Sequence, residues 1–161
     1  MTFFSTRLMT LVILAVALIA GGCANHRKGL EGTIGGAASP GSAQDFQVNV
    51  GDRVFFTVDS SALTPEAQQI LTRQAQWLNQ YGQYSFVIEG HADERGTREY
   101  NLALGARRAA ATRDFLIAQG VSQQRMRTVS YGKERPVAVC DDISCWSQNR
   151  RAVTVLNGPG S

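Results

Sequence analysis

The chain lacks both a strong excess of one charge and an apolar run long enough to cross a membrane. Its net charge is +3 over 161 residues, which is too small to indicate a nucleic-acid-binding protein without a clustered basic patch or an aromatic stacking motif. The sequence shows neither. The apolar run at residues 8–20 is shorter than the roughly 20 residues that a membrane-spanning helix needs. A permanent transmembrane helix is therefore not expected there.

Histidine and cysteine are also scarce, with 2 and 3 residues respectively. His91 has no further partners at ligand spacing, so we interpret it as a packing or hydrogen-bonding residue and predict no metal site. Cys140 and Cys145 flank the sequence DDIS. In an oxidising compartment two such close cysteines most often pair, so we predict a local disulfide, with unpaired thiols or a metal site as the alternatives.

The first residues predict export of the protein. A positive charge at Arg7 precedes the apolar run, and two glycines lead directly to Cys23. An ordinary secretory signal needs no thiol at its cleavage point, whereas a bacterial lipoprotein signal ends at a cysteine that is acylated. We therefore predict a lipoprotein signal peptide at residues 1–22 and a covalent lipid on Cys23 as the only cofactor. An ordinary signal peptide is the alternative.

The residues around Cys23 bear on where the lipoprotein goes. Ala20 stands where such signals usually place leucine, and Ala24 follows the cysteine in place of an aspartate. The second feature favours export to the outer membrane, with the folded domain facing the periplasm. Each buried methylene contributes about 0.8 kcal/mol, so several acyl chains would hold the protein at the membrane.

The part after Cys23 divides into a tether and a domain. Residues 23–46 are rich in glycine, alanine and serine and have no hydrophobic periodicity, so we predict a flexible tether there. The folded domain is predicted at residues 47–157, followed by a short tail at residues 158–161. A tether of this kind would let the domain leave the membrane surface and reach a nearby ligand.

Strand and helix patterns alternate in the predicted domain. Aromatic and β-branched residues predict four strands, at residues 52–59, 84–90, 124–132 and 151–157. The first helix has Thr64 as its N-cap and Pro65 at its first position, and the second has Thr97 as its N-cap and ends at Gly120. Because each helix must bury an apolar stripe, we predict an α/β or α+β two-layer sandwich with both helices on one face of a sheet.

Opposite charges crowd the predicted junction between the second strand and the second helix, EGHADERGTREYNLALGARRA at residues 89–109. Asp93 lies near the positive N-terminal end of the helix. Arg108 shares one helical face with three other residues, namely Tyr100, Asn101 and Leu104. An acid and an arginine held several ångströms apart suit a ligand that carries both an ammonium and a carboxylate. The alternative is a solvated surface, whose ion pairs contribute under about 1 kcal/mol each.

Four blocks of the sequence resemble the OmpA-like peptidoglycan-binding domain family, in particular its lipoproteins that work with the Tol system. These blocks are VDSSALTPEAQ, the junction segment, VSYGKERP and QNRRAV, within residues 54–156. The resemblance implies a βαβαββ fold with the helices on one face of a mixed four-stranded sheet. It also implies an outer-membrane location, contact with the periplasmic propeller protein TolB, and a part in envelope constriction during division.

The resemblance assigns roles to particular residues. In the family, an aspartate of the HAD segment and an arginine of the RRA segment hold the diaminopimelate of the peptidoglycan stem peptide, and these positions are Asp93 and Arg108 here. Further positions line or support the groove, and here they are Asp59, Tyr100, Asn101, Leu104 and Arg150. The sequence departs from the family at Val58, where an aromatic residue is common, and at Arg98, where proline is common.

An enzyme that modifies the cell wall is an alternative from another functional class, because paired acids can perform glycoside hydrolysis. The candidate acids are Glu89, Asp93 and Glu94. However, Glu89 lies within a strand pattern, and a neighbouring arginine lowers the pKa of an acid instead of raising it. We therefore predict a wall-binding protein that is not an enzyme. A related wall-binding lipoprotein with no Tol role is the second alternative.

Overall fold

The structure, a computed structural model, describes residues 38–158. The predicted signal peptide, the lipidation site at Cys23 and much of the predicted tether lie outside these residues. Within residues 38–158, no helix combines the length and the apolar character that crossing a membrane requires.

Four strands form one mixed sheet, which confirms the predicted fold class. They are β1 (Arg53–Phe55), β2 (Ser85–His91), β3 (Met126–Gly132) and β4 (Arg151–Asn157), in the order β1-β4-β2-β3. Strand β4 runs antiparallel to both β1 and β2, whereas β2 and β3 are parallel. The parallel pair is joined by a helix, as a crossover connection requires.

Two long helices have the predicted caps. Helix α1 (Pro65–Gln80) begins where the Thr64 hydroxyl accepts a hydrogen bond from the amide of Ala67, and its first residue is a proline. Helix α2 (Arg98–Ala118) begins where the Thr97 hydroxyl accepts from the amide of Tyr100. Gly120, just after α2, has a φ of +88°, a left-handed conformation that glycine adopts without steric cost.

Both helices pack on the same face of the sheet. On α1, Gln74 accepts a hydrogen bond from the hydroxyl of Thr154 in β4 (2.9 Å). On α2, Gly105 lies so close to Gly90 of β2 that a Cβ at Gly90 would collide with the carbonyl of Gly105. Thr154 pairs with Ile88, and Ile88 faces the same side of β2 as Gly90 because side chains alternate along a strand. This close approach brings Arg108, three residues after Gly105, onto the end of β2.

The folded part begins earlier than predicted. Residues Ala43–Asp45 form a turn of α-helix and Phe46–Gly51 a π-helix. Phe46 is fully buried, and its ring lies 4.9 Å from that of Trp77, whose indole N–H donates to the carboxylate of Asp45 (2.9 Å). The predicted tether boundary at residue 46 is therefore wrong. A segment with one buried aromatic residue is too short to show a periodic pattern.

Two further differences from the prediction concern the segment after β1 and the segment before β4. Strand β1 stops at Phe55, and the chain then runs irregularly toward α1 through Asp59, which has a φ of +55°. A short helix α3 (Ile143–Asn149) lies between the third and fourth strands, where no helix was predicted. The predicted disulfide between Cys140 and Cys145 is confirmed, with Cα atoms 5.7 Å apart, and it spans the start of α3.

Candidate ligand-binding site

A cleft of about 290 Å³ opens between the β1–α1 connection and the first turns of α2. Its lining includes six of the seven predicted binding residues, namely Asp59, Asp93, Tyr100, Asn101, Leu104 and Arg108. Val58, Arg95 and Gly96 complete it. Arg150 is not part of the lining, but it donates a hydrogen bond to the carboxylate of Asp93. The structure therefore brings the predicted residues together, while their contact with a ligand stays a prediction.

Arg108 is fully buried at the base of the cleft. Its guanidinium donates to three backbone carbonyls: Nε to Ser60 (2.9 Å), Nη1 to His91 (2.8 Å) and Nη2 to Thr57 (3.1 Å). Burial lowers the pKa of Arg108 to about 10, so the group is still cationic at neutral pH. Three bonds use three of its five N–H groups, which leaves two.

Arg108 therefore has a structural role that its position in the sequence did not predict. Its three acceptors lie in the β1–α1 connection and at the end of β2, and no local pattern pairs an arginine with distant carbonyls. The guanidinium ties these segments to α2, so the cleft wall and its base are held by one side chain.

Asp93 lies two residues beyond the end of β2 and is almost completely buried. Its carboxylate accepts from Arg95 through the amide (3.2 Å), Nε (3.2 Å) and Nη2 (2.7 Å), and from Nη1 of Arg150 (3.3 Å). Burial by itself would raise the pKa of Asp93, but the hydrogen bonds from Arg95 and then Arg150 outweigh it and hold the pKa below its ordinary value. The carboxylate is thus ionised at neutral pH.

Asp93 and Arg108 do not pair with each other. Asp93 forms its ion pairs with Arg95 and Arg150, and Arg108 bonds to carbonyls. The gap between acid and base that the sequence predicted is present, but Asp93 also has an arginine partner, Arg95, that sequence reasoning missed. The sequence signal that could have identified Arg95 as a partner of Asp93 is its position two residues later in the same charged loop.

The guanidinium of Arg95 also lies over the ring of Trp146, 4.2 Å from the ring centroid. The indole N–H of Trp146 donates to the carboxylate of Glu94 (2.8 Å). Trp146 belongs to α3, the helix that the sequence did not predict. No motif in the sequence connects this tryptophan to Asp93, since only the fold brings α3 beside the loop at residues 92–97.

The opposite wall of the cleft combines apolar and polar groups. Leu104 is buried and Val58 half exposed. The hydroxyl of Tyr100 donates to the carboxylate of Asp59. That hydrogen bond raises the pKa of Tyr100. Asn101 donates to the carbonyl of Arg95 (2.8 Å) and thereby ties the loop to α2.

The remaining charged candidates do not form an acid–base pair in the cleft. Glu89 lies in β2 and does not line it, and the carboxylate of Glu94 is bonded to Trp146. The lowered pKa of Asp93 is opposite to what a general acid needs. Arg98 forms an exposed ion pair with Glu134 (3.0 Å) outside the lining. The arrangement thus favours binding of a charged ligand over hydrolysis.

Of the two roles predicted for His91, packing or hydrogen bonding, the structure shows packing. Its ring is buried against Tyr131, and neither ring nitrogen makes a hydrogen bond. Nε2 lies 3.4 Å from a Glu89 oxygen, a contact that is an ion pair only when the ring is protonated. Burial, and then the charges of Arg151 and Arg135, lower the pKa of His91 to about 4, so the ring is neutral at pH 7. Among residues 38–158, no group of three acidic, histidine or cysteine side chains could hold a metal ion.

Comparison with known proteins identifies the family of the chain. Residues 55–150 match the OmpA family. A protein of Mesorhizobium japonicum described as a peptidoglycan-associated lipoprotein is 64% identical, over 97% of this chain and 96% of its own length. A protein of Brucella melitensis with the same description is 65% identical, over 92% of each chain.

Solved structures agree with the fold. The crystal structure of the peptidoglycan-associated lipoprotein from Burkholderia pseudomallei is 45% identical, with a TM-score of 0.64, and the match covers 66% of this chain and 90% of that one. The C-terminal domain of Helicobacter pylori MotB has a TM-score of 0.63 at 22% identity, over 68% of this chain and 86% of that one. The second likeness concerns the fold alone.

Proposed function

This chain belongs to the OmpA family, and on that premise we propose that its domain binds peptidoglycan non-covalently through the diaminopimelate of the stem peptide. A lipid on Cys23 would anchor the same chain in the outer membrane, so that the protein ties membrane to cell wall. The observation that carries the proposal is the pair of ionised groups, Asp93 and Arg108, that border one cleft without bonding to each other.

The chemistry of diaminopimelate fits these two groups. The far end of its side chain carries an ammonium and a carboxylate on one carbon. In the proposed complex the ammonium bonds to the carboxylate of Asp93, and the carboxylate accepts from the unused N–H groups of Arg108. Charge-assisted hydrogen bonds contribute roughly 1.5–3 kcal/mol each. The methylene groups of the ligand would lie against Leu104 and Val58, the apolar part of the lining.

Arg108 is well suited to this role because it is held before the ligand arrives. Its three bonds to backbone carbonyls fix the guanidinium in the unbound protein. Ordering a long side chain on binding costs about 0.5–1.5 kcal/mol, and here that ordering accompanies folding. Binding of a carboxylate therefore loses little side-chain entropy at this end of the cleft.

The anchor and the Tol role complete the proposal. With Cys23 acylated, residues 24–37 would span the distance from the outer membrane to the domain, and TolB would bind the domain in competition with the cell wall. Mass spectrometry of the mature protein would detect acyl chains on Cys23. Co-purification of the full chain with TolB would separate this function from that of a wall-binding lipoprotein without a Tol role.

Co-sedimentation with isolated sacculi tests the central claim. We expect Asp93→Asn to weaken binding at least tenfold, because the ammonium loses its ionised partner. Arg98→Gln is the matched control, since Arg98 is exposed and outside the lining, and it should bind like the wild type. Sacculi that contain lysine in place of diaminopimelate lack the distal carboxylate and should bind weakly.

Two results would contradict the proposal. Undiminished binding by Asp93→Asn would remove the acid from the site, and equal binding of both kinds of sacculi would remove the dual-charged ligand. Release of soluble muropeptides from the sacculi would support the hydrolase alternative instead.

A further inference from the structure

The acid to which the proposed function assigns the ligand's ammonium already holds a cation. Arg95 bonds to both carboxylate oxygens of Asp93, through Nε to Oδ1 (3.2 Å) and Nη2 to Oδ2 (2.7 Å). This is a bidentate pair, the strongest geometry that an arginine and a carboxylate form. An ammonium that is to bond to Asp93 therefore meets an occupied site.

Of the two arginines on Asp93, Arg95 is the one that can leave. Its side chain is 41% exposed, whereas that of Arg150 is 8% exposed. Arg150 is also held by a bond from Nε to the carbonyl of Phe56 (3.1 Å). Arg95 lines the cleft and Arg150 does not, so an incoming ligand reaches Arg95 first.

The backbone around Arg95 can stay in place while its side chain moves. Lys133 donates to the carbonyls of Glu94 (3.1 Å) and Gly96 (2.7 Å), and Asn101 donates to the carbonyl of Arg95 (2.8 Å). These bonds hold the loop on both sides of Arg95. Rotation about the side-chain bonds of Arg95 is then sufficient to uncover Asp93.

Trp146 provides a position for the displaced guanidinium. Its ring already lies 4.2 Å from the guanidinium carbon of Arg95, and its N–H is fixed to Glu94. Stacking of arginine on an aromatic face is favourable at exposed sites. A guanidinium that leaves Asp93 can keep this contact, which limits the cost of displacement.

We propose that Arg95 is an internal competitor for the ligand's ammonium group: binding exchanges the Asp93–Arg95 pair for an Asp93–ammonium pair, and the guanidinium keeps its contact with Trp146. This inference rests on the proposed function. Arg95 thereby lowers the affinity for diaminopimelate. Arg95 also reduces the difference in affinity between ligands with and without a distal ammonium. A ligand without the ammonium leaves Asp93 paired with Arg95 and pays nothing for displacing it.

Isothermal titration with three matched tripeptides tests the exchange. All three begin L-Ala-D-Glu and end in diaminopimelate, lysine, or 2-aminopimelate, which keeps the distal carboxylate and lacks the distal ammonium. We expect Arg95→Gln to bind the diaminopimelate peptide roughly fivefold more tightly than the wild type, a partly exposed ion pair being worth up to about 1 kcal/mol. Binding of the 2-aminopimelate peptide should not improve. Arg98→Gln, which removes the same charge nearby, should change neither affinity.

Displacement itself has a direct readout in the NMR signal of the Arg95 Nε–H group, identified by its absence in Arg95→Gln. The diaminopimelate peptide should shift this signal in the wild type, and the 2-aminopimelate peptide should leave it near its starting position. A shift with neither peptide, or with both equally, would overturn the exchange.

The outcomes separate the two claims. If the wild type binds none of the peptides and no sacculi, the proposed function fails. If the wild type binds the diaminopimelate peptide and Arg95→Gln binds it equally or more weakly, the site stands and the competition is wrong. Weaker binding of all three peptides would show that Arg95 contacts the ligand directly.

Discussion

The two ends of the cleft hold their charges in different ways. At the end formed by α2, Arg108 is buried and bonded to three backbone carbonyls, so its position is part of the fold. At the loop end, Asp93 is held mainly by the side chains of Arg95 and Arg150, and the side chain of Arg95 is substantially exposed. A fully buried side chain such as Arg108 cannot change its partners while the fold stays packed around it, whereas a partly exposed ion pair such as Asp93–Arg95 can. The first end is therefore rigid, and the second can rearrange when a ligand binds.

Removal of the Arg108 guanidinium, at the rigid end, should lower the free energy of unfolding the most. Arg108→Ala leaves three carbonyls without their donor, and we expect the free energy of unfolding to fall by about 3–5 kcal/mol. Urea denaturation measures this loss. Arg107→Ala is the control on the same helix, because Arg107 is exposed, and it should cost less than about 1 kcal/mol. A small effect of Arg108→Ala would show that the rigid end is no more structural than the loop end.

Lowering the pH should have the second-largest effect on the free energy of unfolding, through the buried ring of His91. His91 belongs to the rigid end because its backbone carbonyl accepts from Arg108. The pKa of His91 is lowered to about 4 in the folded protein from 6.5, so the unfolded chain binds its proton first as the pH falls. Stability is thus present above pH 6.5 and is lost between pH 6.5 and 4, by about 3 kcal/mol. Urea denaturation at pH 7 and pH 4 measures the loss.

The variant His91→Phe provides the control for this pH dependence. It removes the titrating group while keeping a ring to pack on Tyr131, so most of the loss between pH 6.5 and 4 should disappear. Acidification also removes the stabilisation that ionised Asp93 provides. Because the pKa of Asp93 lies below its ordinary value, this loss occurs at lower pH than the loss from His91. An unchanged pH profile in His91→Phe would assign the loss to other groups.

Removal of the disulfide, which spans the start of α3 near the loop end, should have the smallest effect on the free energy of unfolding. The double variant Cys140→Ser/Cys145→Ser should lose about 2 kcal/mol of unfolding free energy, the chain-entropy value for so short a loop. Reductant should destabilise the wild type to a similar extent and leave the double variant unchanged. A reductant effect on both proteins would locate the loss elsewhere.

Local signals predicted the two long helices, α1 and α2, well. Thr64, Pro65, Thr97 and Gly120 have the positions that their chemistry predicts, because a cap acts within one turn of the residue that provides it. Helix α3 was missed because a disulfide and the carboxylate of Asp142, which caps it, stabilise a segment of seven residues that has no apolar stripe. Phe46 was missed because its burial depends on Trp77.

The candidate site was predicted in part. The resemblance to the family and the helical spacing together identified six residues of the lining, since residues three or four apart on a helix share a face. Arg95 and Trp146 were not identified. Their contact joins a loop to a helix far along the chain, and the preference of Asp93 for Arg95 over Arg108 depends on distances that only the folded chain defines.

By itself, the sequence determined the two long helices and the presence of the four strands, which family the chain resembles, and that opposite charges meet at the start of α2. The tertiary structure alone decided that Arg108 bonds to carbonyls, that Asp93 bonds to Arg95 and Arg150, and that Trp146 lies beneath Arg95. Caps and periodicity act over a few residues, so a sequence displays them directly. The partner of a buried charge is set by whichever groups packing brings within hydrogen-bonding distance, and those groups come from distant parts of the chain.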